Sequence, residues 1–549
     1  MKPDTPESRW WGWGSPGRAY PLPESARDYL VRALDLPGRW PRHENIETVE
    51  LPPVRFGRND LASVAASCTL LSDTATRVRH AMGRSFRDLV RLRSGRLPVA
   101  PDCVAFPGSG ESLRRLLATA AERDWVCVPF GGGTSVVGGV EALNGAGDRP
   151  VLTLSMAQLR RVLDIDPTSR TATLEAGIFG PELESALARH ALTLGHFPQS
   201  FEFSTLGGWV ATRSAGQGST GNGRIDDLVV GLQVDTPQHT TRVGGFPASA
   251  AGPDLVSLYL GSEGRLGVIR EVTLRLRPLP RSCPVRAFLF RSFAEGCAAL
   301  REIAARPHRP TVIRLSDETE TELFLRLSPP GTTVKKLVHR VGTALLSRRG
   351  VPLPGSCLVL FSFEGEEGST DSAARDTRRA LRGLGGVDLG ASPALKWRSE
   401  RFAHPYLRDE LLDLGALADT LETCTSWSRL PGLYAAVRQA LRRAIEESGS
   451  AALVLCHISH LYADGASLYF TFIGRADQID PLTQWQRIKD AASEAILRAG
   501  GTITHHHAVG YEHRPWFEEE VGAAGADLLR AAAQEADPTG ILNPGKLLA

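Results

Sequence analysis

Pro129-Phe130-Gly131-Gly132-Gly133-Thr134-Ser135 follows directly on a short apolar run, Trp125 to Pro129, that reads as a strand. Three consecutive glycines let the backbone reach positive φ and approach a ligand closely. Successive N–H groups can then form an anion nest, with the Thr134 and Ser135 hydroxyls as extra donors. A diphosphate suits such a nest; taken alone, the loop reads equally well as a glycine-rich turn with no ligand. No Gly-Lys-Ser/Thr follows it, and the GxGxxG spacing of a dinucleotide-binding turn is missing.

Three further segments extend the pattern outward. Gln199-Ser200-Phe201-Glu202-Phe203-Ser204-Thr205-Leu206-Gly207-Gly208 is rich in hydroxyls and glycine and leads into Thr212-Arg213-Ser214-Ala215-Gly216. Gly261-Ser262-Glu263-Gly264-Arg265-Leu266-Gly267-Val268-Ile269 is a turn running into a strand. Glycines recurring this densely suggest several backbones converging on one extended ligand.

Around these segments the periodicities mix. Val104 to Phe106 reads as a strand, Ser109 to Arg123 as a helix, and Val162 to Ile165 pairs with Arg170 to Glu175 across Asp166-Pro167-Thr168-Ser169. Arg77 to Arg93 has helical spacing throughout, as do Gly180 to His190 and Leu482 to Arg498, the last closed by Gly500-Gly501. Alternating helices and strands with local hairpins give an α+β fold class rather than a plain doubly wound sheet.

Composition narrows the function. A chain of 549 residues calls for about two to four structural units. The net charge of +2 offers no field for nucleic acid. Eight cysteines are scattered without a CxxC pair, against a structural zinc site or a disulfide framework. No window reaches about 18 apolar residues, no leader is evident, and the ending KLLA is no peroxisomal signal, so a cytoplasmic protein is expected.

The four glycine-bearing segments resemble the FAD-binding domain of the vanillyl-alcohol oxidase / p-cresol methylhydroxylase superfamily. The resemblance implies a two-part FAD-binding domain with an α+β substrate cap. It implies that Pro129, Phe130, Gly131, Gly132, Gly133, Thr134 and Ser135 hold the diphosphate. Gln199, Ser200, Phe201, Glu202, Phe203, Ser204, Thr205, Thr212, Arg213, Ser214 and Ala215, with Glu263, Gly264, Arg265, Leu266, Gly267, Val268 and Ile269, then line the rest of the cofactor. The glycine loop contains no histidine for a covalent tether, so the FAD is expected to be non-covalent. The expected division is a helical region at 1–95, the FAD-binding domain at 96–279, the cap at 280–500 and a segment at 501–549 that completes the active site.

Within that superfamily the chain is similar, over nearly its whole length, to the alkyldihydroxyacetonephosphate synthase family. The likeness is carried by Arg9-Trp10-Trp11-Gly12-Trp13-Gly14, Glu202 to Trp209, Ile313-Arg314-Leu315, Gly465-Ala466-Ser467-Leu468-Tyr469-Phe470 and Thr504-His505-His506-His507. It implies a redox-neutral exchange of the acyl group of acyl-dihydroxyacetone phosphate for a long-chain alcohol, through a substrate–flavin adduct. Tyr462 is implied as the base that removes the proton beside the substrate carbonyl, and Arg314 and Arg408 as arginines for activity and substrate binding.

The residues suit that chemistry. A tyrosine works as a base only if cations or donors lower its pKa, and His505, His506 and His507 could supply them. In an extended segment only His505 and His507 share a face, and no acidic or cysteine partner stands at ligand spacing, so no metal is expected. A phosphate dianion calls for the paired donors of arginine.

Two features depart from the family. Ala463-Asp464-Gly465 follows the tyrosine where the family has an aspartate directly, and Asn543-Pro544-Gly545-Lys546 looks like the tails of flavin-dependent 2-hydroxy-acid dehydrogenases. A D-2-hydroxy-acid dehydrogenase or oxidase is therefore the alternative. Expected partners are a small phosphate ester and a lipid alcohol, with a homodimer, peripheral membrane contact and no nucleic acid.

Overall fold

The computed structural model describes residues 8–57, 60–65, 67–143, 145, 147–327 and 351–548; residues 328–350 of the expected cap lie outside them. Strands β1 (Cys68–Leu71), β2 (Cys103–Pro107), β3 (Val126–Phe130) and β4 (Val151–Ser155) form a sheet in the order β1-β2-β4-β3. The pairings β2–β4 and β3–β4 are parallel. Parallel neighbours need a crossover, and the helix Gly110–Glu122 provides it, capped by Ser109 in a reciprocal bond with Ser112. Leu113, Leu116, Leu117 and Ala120 of that helix pack with Cys103, Cys127 and Leu152 from the strands.

A second sheet runs β5 (Val162–Asp166), β6 (Thr171–Glu175), β10 (Val268–Arg275), β8 (Val229–Asp235), β9 (Thr240–Gly244). The hairpin expected at Asp166–Ser169 joins β5 to β6, with the Asp166 carboxylate accepting from the Thr168 and Ser169 N–H groups. A two-residue pair, β7 (Leu192–Thr193) with β11 (Arg277–Pro278), closes this part of the chain.

The remaining strands form one antiparallel, seven-stranded sheet. They are β12 (Val285–Phe290), β13 (Val312–Ser316), β14 (Cys357–Ser362), β15 (Val387–Gly390), β16 (Ala416–Ser426), β17 (Leu453–Leu461) and β18 (Gly465–Arg475), in the order β15-β12-β14-β13-β17-β18-β16. One face is apolar: Leu315, Ile458, Leu468 and Phe470 pack in a large core with Leu433, Val437 and Leu441 of the helix Leu430–Glu447 and Trp485, Ile488 and Ala492 of the helix Pro481–Arg498. The period of two then forces alternate residues to the opposite face. Ser316 lies beside His457, His457 beside Tyr469, and Tyr469 beside Glu422, so polar side chains of four strands form a row there.

One expected element is divided. The helical spacing of Arg77 to Arg93 resolves into Thr74–Arg79 and Phe86–Ser94. The break follows from Gly83, where a Cβ would overlap the Ser135 carbonyl oxygen, and from a capping box in which Ser85 and Asp88 start the second helix. The Arg84 N–H donates to that same Ser135 oxygen at 2.6 Å, so the interruption serves the glycine loop. Among the described residues all eight cysteines are free thiols, and no helix is long and apolar enough to cross a membrane.

Candidate functional site

The glycine loop leaves β3 and meets the other segments at backbone distance. A Cβ on Gly131 would overlap the Thr205 hydroxyl, and one on Gly132 the Phe203 carbonyl oxygen; one on Gly264 would stand 2.9 Å from the Pro129 ring. Gly133 has φ of 66°, open to glycine at no steric cost. Among the described residues no protein group accepts from the N–H groups of Gly132, Gly133 or Thr134. Three successive unpaired donors in a cradle made by absent side chains fit the diphosphate of a dinucleotide.

The side chains of the other expected cofactor residues divide. Thr205 caps the helix Leu206–Ala211, Ser204 accepts from the Trp209 indole at 2.7 Å, and Ser214 bonds His196 at 3.1 Å. Phe201 is buried between Trp209 and Phe402, while Glu202 pairs with Arg18 at 2.7 Å and Gln199 is exposed. Arg213, exposed at φ of 51°, pairs with Asp226 at 2.8 Å, and Thr212 donates to the Gly208 carbonyl within its own helix. Leu266, Val268 and Ile269 are buried, and Arg265 donates to the Leu542 carbonyl at 2.6 Å. What these segments present to a cofactor is chiefly backbone.

Glu263 has another task. Its buried carboxylate accepts from Val509 N–H (2.9 Å) and Gly510 N–H (2.8 Å), which ties the histidine segment to the cofactor side. Gly510 packs on the Val137 carbonyl, and Gly138 on Tyr511, so the glycine loop and the segment after the histidines touch.

The histidine segment is not extended, as the sequence suggested, but bends around one carboxylate. Glu422, fully buried on β16, accepts from the N–H groups of His505 (2.5 Å), His506 (2.9 Å) and His507 (2.7 Å) and from the Thr504 hydroxyl (2.8 Å). The three rings are thereby fanned around a turn instead of alternating between faces. Burial alone would raise the Glu422 carboxyl; these donors and the facing histidines outweigh it and hold the pKa well below the usual range.

Tyr462 stands one residue past β17, with its hydroxyl 2.6 Å from His505 Nε2; His505 Nδ1 lies 2.8 Å from His506 Nδ1. Burial keeps His505 neutral, its pKa well below normal, and lowers His506 to about 3. The expectation that these rings lower the tyrosine's pKa as cations is thus corrected. Burial raises the Tyr462 pKa, and the opposing cation is Arg224. A neutral His505 accepts a hydrogen bond from the phenol at Nε2 and donates from Nδ1 to His506, which gives the phenolic proton a path.

An acidic partner for the histidines does exist, contrary to the sequence reading. Glu422 with His506 and His507, and His460 with His505 and His506, each bring possible ligand atoms within 4.8 Å. Several of these atoms are already engaged: His460 Nε2 with the Gly216 carbonyl at 2.9 Å, and both His505 nitrogens as described.

The two arginines differ. Arg314 shares the polar face of β13 and pairs with Glu320 at 2.8 Å, with His457 Nδ1 3.0 Å from the same carboxylate oxygen. Arg408, on the helix His404–Asp413, makes no hydrogen bond or ion pair among the described residues, and its Nε is shielded from solvent. A half-buried guanidinium group whose shielded Nε has no partner calls for an anion.

Sequence reading missed Glu422, Glu320, His457, His460 and Arg224. The one signal for Glu422 was an acidic residue within the strand-like run Ala416 to Ser426, which also holds Asp419. Nor did the sequence show what holds the tail beside the glycine loop: Asn543 Nδ2 donates to the Gly139 (3.0 Å) and Glu263 (2.7 Å) carbonyls. There the buried Lys546 ammonium donates to the Glu141 carbonyl at 2.8 Å.

The buried imidazoles make acid pH destabilising. Burial lowers His196, His460 and His513 to about 3. The unfolded chain takes up these protons below about 6.5, so stability present above that pH is lost as pH falls, by about 1.4 kcal/mol per unit for each group. Thermal melts should show a lower midpoint at pH 5.5 than at 7.5; an unchanged midpoint would contradict neutral rings.

Known proteins resemble this chain in sequence and fold. Residues 101–252 match the FAD binding domain family and residues 279–547 the C-terminal domain of FAD linked oxidases. Alkyldihydroxyacetonephosphate synthase of Dictyostelium discoideum is 33% identical over 547 residues, covering 96% of this chain and 88% of its own. A solved alkyldihydroxyacetonephosphate synthase superposes with a TM-score of 0.83 at 29% identity, covering 98% of this chain and 97% of its own. p-Cresol methylhydroxylase shares the fold, with a TM-score of 0.67 at 14% identity over 90% of this chain and 98% of its own. The chain is therefore a flavoprotein built from an FAD binding domain and an FAD linked oxidase C-terminal domain, in a fold that p-cresol methylhydroxylase shares. The chain belongs to the alkyldihydroxyacetonephosphate synthase family.

Proposed function

We propose that the chain is a flavin-dependent alkyldihydroxyacetonephosphate synthase, which exchanges the acyl group of acyl-dihydroxyacetone phosphate for a long-chain alcohol. The observation that carries this reading is the Tyr462–His505–His506 hydrogen-bond chain, with the unpartnered Arg408 near enough to act electrostatically on the adjoining His507. Bound in the glycine cradle, FAD supplies the electron-poor ring at which the exchange takes place. Arg408 binds the substrate phosphate, Arg314 sits on the polar face of the cap sheet, and Tyr462 takes the proton beside the carbonyl as its own passes to His505. His506 extends the path, and His507 lines the site. The fatty acid leaves as carboxylate, the alcohol oxygen forms the new carbon–oxygen bond and gives up its proton, and the proton taken from carbon returns, so one proton is released with the carboxylate and no electrons are lost overall. A homodimeric, cytoplasmic enzyme that touches membranes from the surface completes the reading.

Purified protein incubated with acyl-dihydroxyacetone phosphate and hexadecanol should release fatty acid and form ether product in equal amounts by mass spectrometry. The flavin should stay oxidised under anaerobic conditions. Absence of both products rejects the assignment.

A further inference from the structure

Residues 9–18 form a closed loop against the site that the reaction above leaves unused. Arg9 N–H donates to the Gly14 carbonyl at 2.7 Å, and the Arg9 guanidinium donates to the Arg18 carbonyl at 2.5 Å. On one side, Trp13 lies edge-on to Phe203 at 5.9 Å and Arg18 pairs with Glu202 at 2.7 Å. Both partners belong to the segment that packs on the glycine loop. On the other side, Asp409 accepts from Trp13 N–H at 2.9 Å and from Arg9 at 3.1 Å, and Arg93 lies 3.5 Å from its second oxygen. Gly12 and Gly14 are needed here: a Cβ on the first would overlap the Asp409 carboxylate, and one on the second the Tyr406 ring.

Asp409 follows Arg408 directly and is the nearest acid in sequence to an arginine that has no partner. We propose that residues 9–18 act as a strap that holds the Asp409 carboxylate and thereby positions Arg408, without an ion-pair partner, for the substrate phosphate. The inference rests on the assignment of Arg408 to that phosphate. Two effects combine. Arg9 and the Trp13 N–H both bond one Asp409 oxygen, and Arg93 stands 3.5 Å from the other, so the carboxylate is held on the strap's side and makes no ion pair with Arg408. The Trp13–Phe203 and Arg18–Glu202 contacts fix the helix His404–Asp413 relative to the cofactor segment, which sets the distance from phosphate to reaction centre. Arg9, Gly12 and Asp409 are positioning residues, because they act through Arg408.

The test uses full-length holoenzyme with acyl-dihydroxyacetone phosphate as the varied substrate. Arg9→Gln and Gly12→Ala should each raise KM about tenfold, with kcat within about twofold and flavin content unchanged. Arg408→Gln should raise KM further, and Arg9→Gln added to it should cost nothing more, since both changes act on one interaction. Unchanged KM in both single variants overturns the strap, as does a fall in kcat that tracks loss of flavin, or additive effects in the double variant. If Arg408→Gln itself leaves KM unchanged, the phosphate assignment fails, whatever the strap variants do.

Discussion

Tyr462→Phe is expected to lower ether formation by about 10²- to 10⁴-fold while flavin content and its absorbance spectrum stay as in the parent protein. The change removes one hydroxyl, the atom 2.6 Å from His505 Nε2, and leaves the ring that packs beside it. Because burial raises the phenol's pKa, the free phenolate is scarce at neutral pH, and the base works only by passing its proton on as it takes another. Replacing His505 by Gln should therefore imitate much of the defect. Fatty-acid release measured in single turnover separates a chemical defect from slow product departure. Parent-like single-turnover release by Tyr462→Phe would remove the tyrosine from the mechanism.

The second large effect is on stability. Glu422→Leu takes the carboxylate away from the buried His505 N–H and from the half-buried His506 and His507 N–H groups and Thr504 hydroxyl, at up to about 1–3 kcal/mol for each group left unpaired. Several such costs on one turn should unfold the histidine segment locally and lower the denaturation midpoint clearly below the parent's. Glu422→Gln keeps an acceptor oxygen and should retain the fold while losing activity, since its charge no longer orients the three rings. The sign with pH is definite. A carboxylate held below its usual pKa stabilises above about pH 4.3 and loses that contribution only as pH falls through its lowered value. Denaturant titrations of both variants, followed by tryptophan and flavin fluorescence, decide the matter; a parent-like midpoint for Glu422→Leu would be incompatible with the described turn.

What could be read along the chain is what depends on neighbours in sequence. The nest at Gly131–Thr134 follows from three glycines after a strand, and the helix Gly110–Glu122 and the β5–β6 hairpin follow from caps, spacing and an Asp-Pro turn. The site's electrostatics could not be read that way. Glu422 reaches the histidines from a strand more than 80 residues earlier, and only the register of β16 against β18 aims it there. The histidines looked like available cations because their burial is a tertiary property. Likewise, the helical periodicity of Arg77 to Arg93 was real on both sides of Gly83, yet close approach to Ser135 overrode it. Arg408 was marked by resemblance alone; that it has no hydrogen-bond or ion-pair partner among the described residues is again a tertiary property.

The stitching of residues 541–546 beside β3 bears on how the molecule is made. Ile541 and Asn543 bond to Cys127 in the strand that ends in the glycine loop, and the Asn543 and Lys546 side chains brace the Gly139 and Glu141 carbonyls just beyond it. A ribosome releases Cys127 long before residue 546. The glycine cradle therefore gains its last wall only once residues 541–546 have been synthesised, long after the glycine loop itself, and it is complete for a ligand only from that point on.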